Sequence, residues 1–179
     1  MEHKFGLLCG RFQPVHKGHV KLIRRALEHC DHLIIAIGSA QESRTKKNPF
    51  SFEERKELLR RSLWGLNKKV TIIPVDDRKQ IRDDSTWGGY LYNEVVVKTC
   101  ICPTINFSGK EEIRSHWFDT VHIEQMELDR EETPISATQV REAILNDDFD
   151  TFSDLVPNGL LLKFKWMNKV LKEIENDEC

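Results

Sequence analysis

The first forty residues limit the possible folds more than any other stretch of the chain. Phe5 to Cys9 is an apolar run that fits a buried strand, and Leu33 to Ile37 is a second. Between them, Lys17 to Cys30 places apolar side chains at helical spacing. The second run is almost continuously apolar, which is typical of a parallel strand covered on both faces. This βαβ unit predicts an α/β protein with a doubly wound parallel sheet.

The turn between the first strand and the helix has the sequence Gly-Arg-Phe-Gln-Pro-Val-His-Lys-Gly-His, from Gly10 to His19. The first N–H groups of a helix lack partners within the helix, and the helix dipole adds partial positive charge there. His16 and His19 can add donors to phosphate oxygens, and Gly18 lets a ligand or another segment approach closely. This turn therefore predicts an anion site.

A second helix start lies far downstream, at Thr133-Pro134-Ile135-Ser136. Ser136 and Gln139 have the spacing of a capping box, and Arg141 follows about one turn into the helix. Hydroxyl groups and an arginine at a helix N-terminus suit a phosphate, because a guanidinium binds phosphate oxygens in pairs. Taken alone, this segment could equally be an ordinary capped surface helix.

A charged loop follows the second strand and contains Arg44, Lys46 and Lys47. Such runs are usually solvated, but ligands of open α/β sheets bind at the carboxyl ends of strands. We therefore expect this loop to lie near the anion site.

The rest of the chain predicts further elements of an α/β domain, followed by a helical end. One domain is expected over residues 1–179, with an α/β core to residue 146 and a C-terminal helical segment over 147–179. The stripe that starts at Leu160 is most simply a core-packing face, with a subunit contact as the alternative. The predicted helices run from the Ser51 capping box to about Leu63, from Leu91 to Lys98, and from Pro157 onward; for Val95 to Val97 a helix is favoured over a strand. The predicted strands are Val70 to Val75, which nears an edge at Pro74, Thr104 to Phe107, and Thr120 to Glu124. Arg78 to Thr86 is predicted to be a loop.

The composition excludes several classes of function. The chain has 179 residues and a net charge of −2, so we expect no general nucleic-acid binding. No apolar run approaches the length of a membrane span, and Glu2 with its short apolar run does not fit a signal peptide. Five scattered cysteines favour a cytoplasmic location, and Cys100, Cys102 and His116 form only a weak zinc pattern.

The motifs favour chemistry by positioning and charge neutralisation. The chain has no Walker motif, no Gly-x-Gly-x-x-Gly and no serine elbow. Attack by a phosphate oxygen on the α-phosphorus of ATP fits this inventory, because the attacking group is already an anion and needs no strong base. Mg²⁺ is expected on the triphosphate oxygens, held mainly by nucleotide and water because no carboxylate cage is evident.

The two helix starts resemble the His-x-Gly-His and Ile-Ser-x-Thr-x-x-Arg motifs of the nucleotidyltransferase superfamily related to class I aminoacyl-tRNA synthetases. Gly10 to His19, Gly38 to Gln41, Asn48-Pro49-Phe50 with Glu54-Arg55, and Trp87 together resemble the archaeal-type nicotinamide-nucleotide adenylyltransferases. The resemblance runs from about residue 5 to residue 146. It implies a Rossmann-like nucleotidyltransferase fold, a homo-oligomer, and the synthesis of NAD and pyrophosphate from nicotinamide mononucleotide and ATP.

The resemblance also implies residue roles. Catalysis would involve Arg11, His16, His19 and Arg141, and Trp87 would stack on the nicotinamide ring, as an indole face can do with a cationic ring. Lys47 stands where the family usually has arginine, so the charge is kept but the planar fork is lost. Ala137 stands where glycine is common. The implied ATP-binding residues are Gly10, Arg11, Phe12, His16, Gly18, His19, Lys47, Ser136, Thr138 and Arg141, and the implied mononucleotide-binding residues are Gly38, Ser39, Gln41, Asp77 and Trp87.

Two other functions are compatible with parts of this pattern. The same fold could serve another phosphate acceptor, such as nicotinate mononucleotide, FMN, phosphopantetheine or glycerol phosphate. Trp87 and the segment Gly38 to Gln41 argue against FMN, phosphopantetheine and glycerol phosphate, whereas the choice between amide and acid mononucleotide stays open. A nucleotide sensor without catalysis is the second alternative, and the intact His16, His19 and Arg141 argue against it.

Overall fold

The computed structural model describes residues 3–78, 84–109, 117–128 and 135–177. Its strands and helices alternate through the first three strands, as the βαβ pattern predicts. The strands are β1 (Phe5–Gly10), β2 (His32–Ile37), β3 (Val70–Pro74), β4 (Ile105–Gly109) and β5 (Glu124–Leu128), and the helices are α1 (Lys17–His29), α2 (Phe52–Ser62), α3 (Asp84–Thr99), α4 (Ala137–Leu145), α5 (Phe149–Leu155) and α6 (Phe164–Asp177).

The strands form one parallel sheet in the order β3-β2-β1-β4-β5. The doubly wound parallel sheet is therefore confirmed, and β3 with its Pro74 is an edge strand, as predicted. The order reverses between β1 and β4. A crevice opens at such a reversal outside the carboxyl ends of the strands, which is where the Gly10–His19 turn leaves β1.

Two apolar cores cover the two faces of the sheet. Leu8 and Ile35 point to one face, where α1, α2, α4, α5 and α6 contribute to the core. Leu7 and Ile34, their neighbours in sequence, point to the other face and pack with Leu91 of α3. This alternation explains the unbroken apolar runs, because successive strand residues face opposite sides and both sides are buried.

The helix predicted for Leu91 to Lys98 is confirmed, but α3 begins earlier than predicted. The helix starts at Asp84, so the predicted loop is wrong for residues 84–86, and residues 79–83 lie outside the described residues. Its first turns lie against the segment after residue 116. A Cβ added at Gly88 would stand 1.4 Å from the carbonyl oxygen of Trp117, so this contact requires glycine.

The strand predicted over Thr120 to Glu124 is wrong. Residues 117–120 form a turn, and β5 pairs with β4 from Glu124 onward, opposite Ile105. Val121 and Ile123 instead pack against the core beneath α3, so their apolar side chains are used outside the sheet. The apolar residues of this segment therefore indicate burial and not strand pairing.

The C-terminal segment shares the first core with the sheet. After α5, which the sequence patterns do not predict, a 3₁₀ segment covers Asn158–Lys163, and the last helix begins only at Phe164. Leu160, Met167 and Ile174 are buried, so the predicted core-packing stripe is confirmed. The division of the chain at residue 146 stays a prediction. In the described part of the chain, no helix has the length and apolar character needed to cross a membrane.

Candidate active site

The N-terminus of α1 is closed by its own two histidines. His16 is the N-cap residue, and its Nδ1 accepts from the backbone N–H of His19 at 3.4 Å. Nδ1 of His19 accepts from the backbone N–H of His16 at 3.3 Å, and the ring centroids lie 3.7 Å apart. With Nδ1 used as an acceptor, the geometry assigns the proton of each neutral ring to Nε2. Each histidine therefore presents Nε2 as a hydrogen-bond donor.

Gly18 allows a close approach, as predicted, and the structure shows what approaches it. A Cβ at Gly18 would stand 3.1 Å from atoms of the His16 ring and 3.9 Å from the carbonyl oxygen of Ile135. His16 is buried, with only 2% of the residue exposed. Ile135 directly precedes the N-cap of α4, so the two predicted phosphate-binding helix starts lie side by side.

The start of α4 has the predicted capping box. Oγ of Ser136 accepts from the N–H of Gln139 at 3.2 Å, and Oε1 of Gln139 accepts from the N–H of Ser136 at 2.8 Å. Arg141 donates to Oγ1 of Thr138 at 3.2 Å and to the carbonyl oxygen of Gln13 at 2.6 Å. The second bond reaches across 128 residues of sequence. Arg141 thus joins α4 to the turn that precedes α1.

Three guanidinium groups converge beside these helix starts. Burial lowers the pKa of Arg141, and the charge of Arg11 lowers it further. Burial also lowers the pKa of Arg55, to about 10, although Asp77 opposes this shift. Arg11 repels both groups and is itself exposed. Among the described residues, the hydrogen bonds of Arg55 and Arg141 go to carbonyl and hydroxyl oxygens and not to carboxylates. Such a cluster favours an anionic ligand.

Phe12 and Gly10 shape the same turn. Phe12 has a φ of 51°, is buried, and places its ring centroid 4.8 Å from that of His19. A Cβ at Gly10 would stand 3.0 Å from the Phe12 ring. The Phe12 ring therefore fixes the position of His19, and the absence of a side chain at Gly10 makes room for it.

The residues predicted for the mononucleotide come from separate loops that the structure joins. The N–H of Gly38 donates to the carbonyl oxygen of Gly10 at 3.0 Å, which places the two glycines next to each other. Oε1 of Gln41 accepts from the N–H of Asp77 at 3.0 Å, so the loops after β2 and β3 are linked. Ser39 is buried with a φ of 49°, and no atom lies within 4 Å of a Cβ built on Gly38.

Trp87 lies in the first turns of α3 within an aromatic cluster. Its ring centroid is 5.2 Å from that of Tyr90 and 6.0 Å from that of Trp117. The hydroxyl of Tyr90 donates to the carbonyl oxygen of Asp76 at 3.0 Å, so the cluster is tied to the loop after β3. Among the described residues, the buried indole N–H of Trp87 has no hydrogen-bond partner. The close backbone approach at Gly88 is to Trp117, a member of the same cluster.

The basic loop after β2 is held by internal bonds. Arg44 pairs in a bidentate manner with Glu54, at 2.7 and 2.5 Å, and also donates to the carbonyl oxygen of Pro49. The buried Asn48 donates to Glu42 at 2.5 Å. Arg44 is therefore bound to a carboxylate and does not add free positive charge, whereas Lys47 is exposed on the loop.

Two residues with structural roles in the site are missing from the set predicted for substrate contact. Gln13 is buried and forms two hydrogen bonds with the backbone of Phe50, at 2.8 and 3.0 Å. Arg55 is fully buried beneath the two loops. A signal for Arg55 exists in the sequence, because it lies three residues after Phe52 and four before Leu59, on the inner face of α2.

Within residues 3–78, 84–109, 117–128 and 135–177, no group of three His, Cys, Asp or Glu side chains is arranged to hold a metal ion. None of the described cysteines forms a disulfide; Cys9 and Cys30 are buried, and Cys100 and Cys102 are exposed. His116 of the weak zinc pattern lies outside the described residues.

Comparison with known proteins agrees with this geometry. The model of the cytidylyltransferase-like family matches residues 7–143. The nicotinamide-nucleotide adenylyltransferase of Pyrococcus furiosus is 37% identical over 161 residues, which cover 88% of this chain and 80% of the relative. The enzyme of the same name from Thermococcus onnurineus is 34% identical over 159 residues, with the same two coverages.

A similar solved structure is the bifunctional NMN adenylyltransferase/ADP ribose pyrophosphatase of Francisella tularensis, complexed with AMP and a manganese ion. The TM-score is 0.73 at 26% sequence identity, and the match covers 99% of this chain and 54% of that chain. The present chain thus spans about half the length of the bifunctional protein.

Proposed function

This chain belongs to the cytidylyltransferase-like family, and we propose that it is an adenylyltransferase that joins nicotinamide mononucleotide to ATP, giving NAD and pyrophosphate. The observation that carries the proposal is the meeting of two capped helix starts, His16–His19 and Ser136–Arg141, beside the Gly10–Gly38 contact. Donors for a polyphosphate and a second ligand site are then adjacent at the carboxyl edge of one sheet.

The proposed reaction is a direct in-line displacement. A phosphate oxygen of the mononucleotide forms a bond to the α-phosphorus of ATP, and the bond from that phosphorus to the bridging oxygen of the β-phosphate breaks. The bridging oxygen leaves on pyrophosphate and keeps the bonding electron pair. No proton has to be removed from the attacking phosphate, so the chain's task is to align two anions and to stabilise the charge that develops.

The phosphate side supplies fixed donors for this task. Nε2 of His16 and Nε2 of His19 are placed by the mutual capping bonds, so little reorganisation is needed when charge develops on the phosphate oxygens. Arg11 and Arg141 add positive charge, and we propose that both bind the triphosphate. Gly10, Phe12 and Gly18 shape the turn, while Ser136 and Thr138 hold the start of α4 and Arg141.

ATP enters this proposal as its Mg²⁺ complex. The Francisella tularensis protein was crystallised with AMP and a manganese ion, which supports a divalent metal near the nucleotide. The described residues contain no three-residue acidic or histidine cluster, a setting that suits a metal held mainly by phosphate oxygens and water. The metal would neutralise charge on the triphosphate.

The acceptor side binds the mononucleotide in this proposal. Gly38, Ser39, Gln41 and Asp77 line two linked loops, and the nearby aromatic cluster offers the face of Trp87 to a cationic pyridinium ring. The unpartnered indole N–H supports a polar ligand group nearby.

Release of pyrophosphate tests this function and its acceptor. The chain is mixed with ATP, Mg²⁺ and one acceptor at a time: nicotinamide mononucleotide, nicotinate mononucleotide, FMN, phosphopantetheine or glycerol phosphate. We expect the highest kcat/KM with nicotinamide mononucleotide. Faster release of pyrophosphate with another acceptor would identify that acceptor as the substrate. ATP binding without pyrophosphate release for any acceptor would favour a nucleotide sensor.

We also propose that the chain acts in the cytoplasm and forms a homo-oligomer. The first proposal is supported by the five scattered cysteines of the sequence. The second is supported by the family resemblance alone, and sedimentation of the purified protein tests it.

A further inference from the structure

Arg55 is a buried cation whose hydrogen bonds join three parts of the chain. It lies in the first turns of α2 and is 0% exposed. Its guanidinium donates to the carbonyl oxygens of Arg11 at 3.0 Å, Gly38 at 2.8 Å and Ser39 at 3.0 Å, and its Nε donates to that of Ser51 at 3.2 Å. One planar group therefore holds the turn after β1, the loop after β2 and the start of α2.

These partners lie on both sides of the proposed reaction centre. Arg11 belongs to the turn proposed for ATP phosphates, while Gly38 and Ser39 belong to the loop proposed for the mononucleotide. The backbone bond from Gly38 to Gly10 also links these two segments, and the two bonds between Gln13 and Phe50 tie the ATP turn to the far end of the loop after β2. Removing Arg55 would leave four carbonyl oxygens without this donor, three of them in the two loops, and would loosen the spacing of the loops.

The choice of a charged group at this position is informative. Burying a guanidinium is costly, and in protein cores the cost is usually offset by a carboxylate. Here the four hydrogen bonds go to neutral carbonyl oxygens, so the positive charge is not cancelled by a hydrogen-bonded acid. Glu54, the adjacent acid, is engaged with Arg44. A fixed positive charge beneath the site favours the negative charge that develops in the transition state, in addition to holding the loops in position.

We propose that Arg55 is a positioning residue for adenylyl transfer, which sets the distance between the ATP turn and the mononucleotide loop. This inference rests on the proposed function. Each substrate has its own contacts on one loop, so loss of Arg55 affects mainly the step that needs both loops in register. In-line attack is sensitive to such errors, because a displacement of about 1 Å can cost about 100-fold in rate.

Two substitutions and one matched control test the proposal. Arg55→Lys keeps a charge but has a single nitrogen, which cannot reach four carbonyl oxygens, and Arg55→Gln is an uncharged version that is easier to bury. Leu59→Ala is the control, because Leu59 is fully buried one turn later on the same face of α2 and touches neither loop through a polar group. For all three variants, kcat and both KM values are measured with nicotinamide mononucleotide and ATP, alongside the melting temperature and the Kd of each substrate alone.

The expected result is a fall in kcat of about 10- to 100-fold for the folded Arg55 variants, with the separate Kd values changed far less. Leu59→Ala should lower the melting temperature and leave kcat near that of the unaltered protein. Arg55 variants that lose stability but keep kcat would overturn the proposal, as would a failure of both to fold, since Arg55 would then be structural only. Absence of turnover in the unaltered protein would instead reject the proposed function.

Discussion

The two sides of the candidate site are built in different ways. The phosphate side, defined as Gly10–His19 with Ser136–Arg141, consists of two continuous motifs, and each closes its own helix start by a capping box. The acceptor side, defined as Gly38–Gln41, Asp77 and Trp87, is assembled from three segments through Gln41, Tyr90 and the aromatic cluster. Local motifs thus build the proposed phosphate side, whereas tertiary packing builds the proposed acceptor side.

The sharpest test of this contrast is His19 on the phosphate side. His19→Ala removes a preorganised donor, so we expect kcat to fall about 100-fold or more, while the loss of one capping bond should cost only about 1 kcal/mol of stability. Turnover and the melting temperature are measured together. His29→Ala, at the exposed far end of α1, is the matched control and should keep normal turnover. Near-normal kcat in folded His19→Ala would remove this histidine from the mechanism.

Arg11 tests whether charge on the phosphate side acts on ATP alone. Its side chain is exposed and the described structure gives it no hydrogen-bonded partner, so Arg11→Ala should leave stability unchanged. We expect kcat/KM for ATP to fall by the equivalent of about 1.5–3 kcal/mol, the range for hydrogen bonds to charged groups. Arg24→Ala, an exposed arginine on α1, is the control. An equal fall in kcat/KM for ATP and for the mononucleotide would show that Arg11 does not act on ATP alone.

The acceptor side is tested at Trp87. Trp87→Ala should raise KM for nicotinamide mononucleotide by the equivalent of about 1–3 kcal/mol, by analogy with bases stacked on aromatic rings, and leave KM for ATP nearly unchanged. Trp87→Phe should recover part of the loss. Because the ring also packs on Tyr90 and Trp117, we expect a lower melting temperature as well.

The control for Trp87 is Trp64→Ala, since Trp64 is 88% exposed. If Trp87 only anchors α3, the melting temperature falls and both KM values change alike. An unchanged KM for the mononucleotide in a stable Trp87→Ala protein would remove Trp87 from the acceptor side and leave only its two loops.

The same contrast explains what the sequence could predict. The strand runs of β1 and β2 and the capping boxes at Ser51 and Ser136 depend on neighbouring residues, and all of them are confirmed. The sequence pattern predicts the last strand too early in the chain, because the position of β5 depends on pairing with β4, which is distant in sequence. Periodicity cannot detect such pairing.

Within the site, sequence-based prediction is limited for the same reason, because contacts between distant segments leave no local pattern. The closeness of α1 and α4 follows from the two motifs, and the structure brings His16, Gly18 and Ile135 together. The bonds of Arg55 to three separate carbonyl oxygens outside its helix have no sequence signature, because any residue offers a carbonyl. At Gly88 it is the chain itself that approaches, through the backbone of Trp117. A glycine indicates that something comes close and does not identify it.

The smallest expected effect belongs to Lys47, on the loop after β2. The basic cluster predicted there is reduced in the structure because Arg44 is bound to Glu54, whereas Lys47 is exposed. Exposed ion pairs contribute about 0.2–1 kcal/mol, so Lys47→Ala should raise KM for ATP by only about two- to fivefold. Lys47→Arg should restore or improve ATP use, since the planar fork binds two phosphate oxygens at once. Lys165→Ala, an exposed lysine of α6, controls for the change in net charge. Equal ATP kinetics for Lys47→Ala and Lys165→Ala would show that the loop is merely solvated, and would confine the phosphate side to the two helix starts.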